Sequence, residues 1–116
     1  MANGNSGINQ ALDHLHDMLV ARHKQLNDSL NTITDPALAQ AVVTEMGEVL
    51  HRIDGVQRQL FKAASQGITD KVAAVDDANA DLVQSLKTID NITMLVKTVS
   101  GFLTLVDAAI DLAKTL

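Results

Sequence analysis

Between residues 39 and 63 the apolar positions fall on one unbroken line: Ala39, Val42, Met46, Val49, Ile53, Val56, Leu60 and Ala63. Their 3-4-3-4-3-4-3 spacing is that of a helix laid along another helix. The preceding segment carries Ile8, Leu12, Leu15, Leu19, Leu26, Leu30 and Ile33 at related intervals, with Arg22 and Ser29 interrupting one of its two lines. These patterns predict a first helix over about 7–33 and a second over 36–65. Ser6 is placed to cap the first, and Asp35-Pro36 to start the second: an Asp side chain accepts from free first-turn amides, and proline tolerates the first helical position. So short a connection makes the two helices antiparallel neighbours.

A third seam runs Ile68, Val72, Val75, Asn79, Leu82, Leu86, Ile89. It is out of phase with the second, so a break is expected at Gln66-Gly67, with Gly67 ending the second helix and Thr69 or Asp70 capping the third. Beyond it, Ile89, Ile92, Val96, Val99, Leu103, Val106, Ile110 and Ala113 cross Ser100-Gly101 without a change of phase. The expectation is one helix from 69 to 115, with a break at Ser100-Gly101 and a short fourth helix as the alternative. The predicted fold is all-α: an antiparallel bundle of three long helices forming a single domain over 7–116, behind a flexible polar tail at 1–6.

The C-terminal segment is apolar around about two thirds of its circumference. A second line, Leu95, Phe102, Leu105, Ala109, Leu112 and Leu116, adjoins the first, and the polar residues keep to Lys97, Ser100, Thr104, Asp107, Asp111 and Lys114. A surface helix needs an apolar stripe only about 100° wide. A third helix running to 115 would also overrun the first pair by roughly 20 Å at 1.5 Å per residue. The excess predicts a partner interface built from Leu95, Val99, Phe102, Leu105, Val106, Ala109 and Leu112. The function expected on this basis is a non-enzymatic interaction or structural protein, a homo-oligomer (dimer favoured) or the partner of another helical protein. The alternative is a membrane- or lipid-surface protein using residues 92–116.

Composition narrows this further. The 116 residues include two aromatics, Phe61 and Phe102, one proline and no cysteine. Aliphatic side chains suit helix seams, and the lack of cysteine removes disulfides and thiolate metal sites. Net charge is −5, and the nine Lys and Arg residues are scattered. A nucleic-acid binder needs a basic stripe, so nucleic acid is not an expected partner. The first residues lack the basic and apolar regions of a signal peptide. No run reaches the ~20 consecutive apolar residues of a spanning helix, which favours a cytoplasmic location.

No residue set carries a recognisable catalytic chemistry, and no cofactor is implied. Glu48 and His51 have the Glu-x-x-His spacing of di-iron bundles, with Asp13 and His16 as a counterpart. Heptad phase turns Glu48, His51 and Asp13 outward, so no metal site is expected. His16 and His23 lie two turns apart at the edge of the first seam, where protonation near their ordinary pKa of about 6.5 would make an interface pH-sensitive. Asp76-Asp77-Ala78-Asn79-Ala80-Asp81 reads as a solvated face, without the bent loop and distal Glu of a calcium site. Asn79 either fixes register within its seam or yields the packing to Ala78 and Leu82. Arg22 either snorkels out or meets an acid from a neighbouring helix.

Overall fold

A computed structural model describes residues 7–116, and the expected tail and the Ser6 cap lie outside that range. The described chain is all-α, as its periodicity predicts. It contains four helices: α1 (Gln10–Ser29), α2 (Pro36–Gln57), α3 (Gln66–Leu86) and α4 (Ile92–Lys114). They form a rod of 45 × 24 × 20 Å.

Capping chemistry sets the boundaries. Asn9, not Ser6, starts α1, its side chain accepting from the Leu12 amide at 3.1 Å. Asp35 starts α2 by accepting from Ala37, with Pro36 in the first helical position as its ring requires. α2 ends at Gln57, a full two turns before 65, in a tightened turn where the Gln59 amide reaches Val56 O. Ser65 then caps α3 by accepting from Ile68. Gly67 is therefore a first-turn residue of α3 and not the end of α2. A Cβ there would stand 3.1 Å from Leu112 Cδ2, so that side chain would have to give by a few tenths of an ångström.

The expected helix over 69–115 is two helices. α3 stops at Leu86, and Asn91 restarts the chain by accepting from the Met94 amide at 3.0 Å. An Asn side chain before an apolar run stabilises a helix start by about 1 kcal/mol, and the sequence periodicity masked it. The five linking residues keep Ile89 packed against the core, so the seam appears continuous although the backbone is not. Ser100-Gly101, the alternative breakpoint, is uninterrupted helix. There is no overrun: α4 folds back along α3.

The helices form two antiparallel hairpins, α1/α2 and α3/α4. The hairpins join along α1/α3 and α2/α4, the other close pairings. Both of these junctions are parallel. His14 meets Asp76 and Gln25 meets Val83 O, rising together along α1 and α3. On the other side Arg52 meets Asp107, and Gly55 lies against Ile110 one turn further on. The 58–65 connection therefore crosses the end of the bundle diagonally. Asn9 holds it there. Its backbone N–H donates to Leu60 O at 2.7 Å, and Nδ2 donates to Lys62 O and Ala63 O at 3.1 Å each. Inside, one aliphatic core runs the length of the rod, with Phe102 its largest fully enclosed side chain.

Candidate functional site

The seven residues expected to meet a partner lie inside this core. Leu95, Val99, Phe102, Val106 and Ala109 are buried, and Leu105 and Leu112 are half-buried against the same cluster. The surface that would have faced a second molecule closes the protein's own interior, because α4 packs against both α3 and α2. What α4 leaves uncovered lies in its first turns: Ile92 is 40% exposed, Val96 41% and Met94 56%. Ile92 and Val96 belong to the α4 seam but project past the cover that the rest of that seam receives.

Val96 also lines a groove between α2 and α4. Its other walls are Glu45, Glu48 and Arg52 from α2 and Ser100, Leu103, Thr104 and Asp107 from α4. Helical spacing puts Glu45, Glu48 and Arg52 on the flank of α2 that faces α4, and Val96, Ser100, Leu103 and Asp107 on the answering flank. Arg52 bridges the floor. Nε and Nη2 donate to the two carboxylate oxygens of Asp107 at 3.0 Å each, and Nη1 donates to Glu48 Oε1 at 2.6 Å. These bonds raise the guanidinium pKa, the Asp107 hydrogen bonds most strongly, and hold Arg52 fully charged. Glu45 sits deeper, 8% exposed. Burial, together with the charge on Glu48, raises its pKa, while Arg52 opposes them by attraction. Among the described residues no hydrogen bond reaches its carboxylate, so the groove sets three carboxylates against one guanidinium.

The α1/α3 junction has the converse arrangement. Arg22 lies at a core-facing position of α1, and its Nε and Nη1 are buried with no partner. Burial lowers its pKa. The Asn79 Oδ1 and Gln25 Oε1 acceptors are also buried and unpartnered in this junction. Asn79 is half-buried within an aliphatic seam that Ala78 and Leu82 also pack. Among the described residues no acid pairs with Arg22, and the ion pair of this junction, His14 Nε2 to Asp76 at 2.9 Å, lies at the exposed margin.

The metal-spaced residues Glu48, His51, Asp13 and His16 are not brought together. Glu48 is engaged by Arg52, and His51 is exposed. Asp13 is half-buried, and His16 leans 3.8 Å from Asp17 with its Nε2 buried. Among the described residues no group of three His, Asp or Glu side chains converges as a metal site would. His23 is half-buried at the α1/α2 edge. On these two helices Val20, Val43 and Leu50 are exposed.

Sequence reasoning missed Glu45, Arg52 and Asp107. A signal was available: Glu45 occupies a position between Val42 and Val49 that a core-facing seam would fill with an aliphatic residue. The Met46 line concealed it, because both lines fit a heptad and only the observed rotation of α2 favours Leu38, Val42, Glu45, Val49 and Val56. Comparison with protein-family models, curated proteins and solved structures returned no match.

Proposed function

We propose that this chain is a non-enzymatic interaction protein that engages a partner along the α2/α4 face. The observation that carries this reading is the exposure of Ile92 and Val96, which continue the α4 seam beyond the cover of the bundle. Helix faces that bind partners present apolar anchors at such one-turn intervals. The self-association expected from a wholly uncovered α4 loses most of its basis, since five of its seven proposed contacts are buried within the monomer. A stable interface uses roughly 20–30 residues a side. The few side chains left here suit a short partner segment better than a second folded copy.

The test places a photo-crosslinking amino acid at position 92 of the full chain in its native cell. One discrete crosslinked product is expected, and it should disappear when Val96→Glu is added while helical circular dichroism is retained. A diffuse product insensitive to Val96→Glu would sink the reading. Sedimentation velocity of the purified chain should give a monomer.

A second reading has one observation in its favour. α4 is 23 residues long and apolar enough to cross a membrane by length and composition, although much of it packs in the core. Under this reading the α3/α4 hairpin opens and α4 enters lipid. It expects the protein to float with phosphatidylcholine liposomes, whereas partner binding through a closed bundle expects none to float.

A further inference from the structure

The two junctions between the hairpins are not equally well closed. On α1, His14, Met18, Arg22 and Gln25 share one flank by helical spacing, and on α3 Val72, Asp76, Asn79 and Val83 share the flank that answers it. Two cross-links join these flanks, His14 Nε2 to Asp76 at 2.9 Å and Gln25 Nε2 to Val83 O at 3.1 Å. Along the two helices, Arg22 and Asn79 fall between these cross-links. Arg22 Nε and Nη1 are buried donors without partners, and Asn79 Oδ1 and Gln25 Oε1 are buried acceptors without partners. Donors and acceptors share one stretch of the junction and make no bond with each other. Among the described residues, every buried side-chain atom in this condition belongs to α1 or α3. Beyond Gln25 an open groove of about 320 Å³ separates the ends of the same two helices, with Ser29 and Ile33 on one side and Leu86 and Ile89 on the other. The α2/α4 junction is tied differently. Arg52 spans it with two hydrogen bonds to Asp107, and Gly55 lies against Ile110 one turn further on.

A buried donor or acceptor without a partner costs folding free energy, and water repays that cost once the group is exposed. Parting α1 from α3 hydrates the unpartnered atoms of Arg22, Gln25 and Asn79. It breaks two cross-links, of which His14 to Asp76 is already exposed. Parting α2 from α4 breaks the paired Arg52–Asp107 bonds and hydrates no such atom. We propose that the two hairpins swing apart along α1/α3 as a minor state, with α2/α4 holding as the hinge and each hairpin staying whole. The swing opens the aliphatic core from one side without unfolding a helix. It is independent of whether a partner binds at Ile92 and Val96.

The chain has no cysteine, so a single introduced thiol reports the exposure of its own site. The full chain is made as Met18→Cys for the α1/α3 junction, or as Val72→Cys if that variant does not fold, and as Leu103→Cys for α2/α4. The parent side chains at these positions are equally well buried. Each variant is mixed with an aromatic disulfide reagent in the absence of denaturant. Its labelling rate is compared with the limit set by its own global unfolding constant from a urea titration. Local opening proceeds at a lower free energy than global unfolding, so the α1/α3 thiol should label at least about tenfold faster than that limit. The Leu103→Cys thiol should label no faster than its limit. Adding Arg22→Met and Asn79→Leu to the α1/α3 variant should bring its labelling back to the limit. Labelling of the α1/α3 thiol at the global limit overturns the proposal. So does labelling at Leu103→Cys that is equally fast or faster, which means a loose core without a hinge. Fast α1/α3 labelling that survives Arg22→Met and Asn79→Leu also overturns it, because the unpartnered polar groups are then not what opens the junction.

Discussion

On the α1/α3 side of the bundle a guanidinium enters the protein interior without a carboxylate, and on the α2/α4 side a mostly buried carboxylate, Glu45, lies beside a guanidinium already bonded to two others. Arg22 and Glu45 lie on neighbouring antiparallel helices, both near mid-length, yet they turn to different junctions and form no ion pair. Within each hairpin the helix–helix contacts are aliphatic. The side-chain hydrogen bonds linking one helix to another, among the described residues, run between the hairpins: His14 to Asp76, Gln25 to Val83 O and Arg52 to Asp107. Hydrophobic burial therefore closes the hairpins, while polar groups mark where the hairpins meet. The two junctions differ in what they leave over: among the described residues the first holds buried polar atoms without partners, while the second ties its guanidinium to two carboxylates.

That contrast is open to direct attack. The largest effect expected is from Phe102→Ala, which should cost about 3–5 kcal/mol for a fully enclosed ring. Urea unfolding should remain one transition, reported alike by circular dichroism and by NMR probes in both hairpins. A first step confined to α3/α4 would show the hairpins to be independent units. Next, Arg22→Met removes the unpartnered guanidinium and keeps an unbranched stem, so stability should rise by about 1–3 kcal/mol in the same urea assay. No gain would mean that Arg22 is satisfied and the two junctions are alike. Arg52→Met should act in the opposite direction, lowering stability by about 1 kcal/mol. It strands Asp107 and Glu48, but both are close enough to water to recover much of the loss.

The smallest effect sharpens the carboxylate side. Glu45 has a folded-state pKa above its unfolded value, so the native state binds the proton more tightly. Stability contributed by this group is full below the ordinary glutamate range and is lost as pH rises through the raised value. Glu45→Gln should therefore be more stable than the parent at pH 7. The advantage should shrink as pH falls through the raised value and be gone below about 4.3, the ordinary glutamate value. An advantage that persists unchanged at low pH would assign the gain to packing instead of charge.

Much of this fold was legible because apolar spacing repeats over many turns and each repeat reinforces the phase. The seam Ile68, Val72, Val75, Leu82, Leu86 is buried as its spacing requires, and Asp35-Pro36 starts α2. The chain's other boundaries were less legible, since each rests on a single side chain. Asn91 divides an apolar pattern that continues on both sides of it, and Ser65 outranks the more conspicuous Gly67. The error at Asn91 carried through to the site: with three helices α4 had too little cover, and with four its excess apolar surface is the core. The groove itself was illegible, because Arg52 and Asp107 are 55 residues apart and each reads as an ordinary surface charge.

The diagonal connection held by Asn9 has a consequence for the handedness of the bundle. A second hairpin with apolar faces of near-uniform aliphatic character can dock to the left or to the right of the first and bury similar surface either way. Such mirror topologies are the usual competitors of a symmetric four-helix design, and loops are what distinguish them. Here one nearly buried side chain starts α1 and also grips the backbone at Lys62 and Ala63. It thereby fixes the path by which the chain leaves the first hairpin in this structure. Asn9 thus ties the start of α1 to the connection whose path distinguishes the observed left–right arrangement of the hairpins from the alternative one.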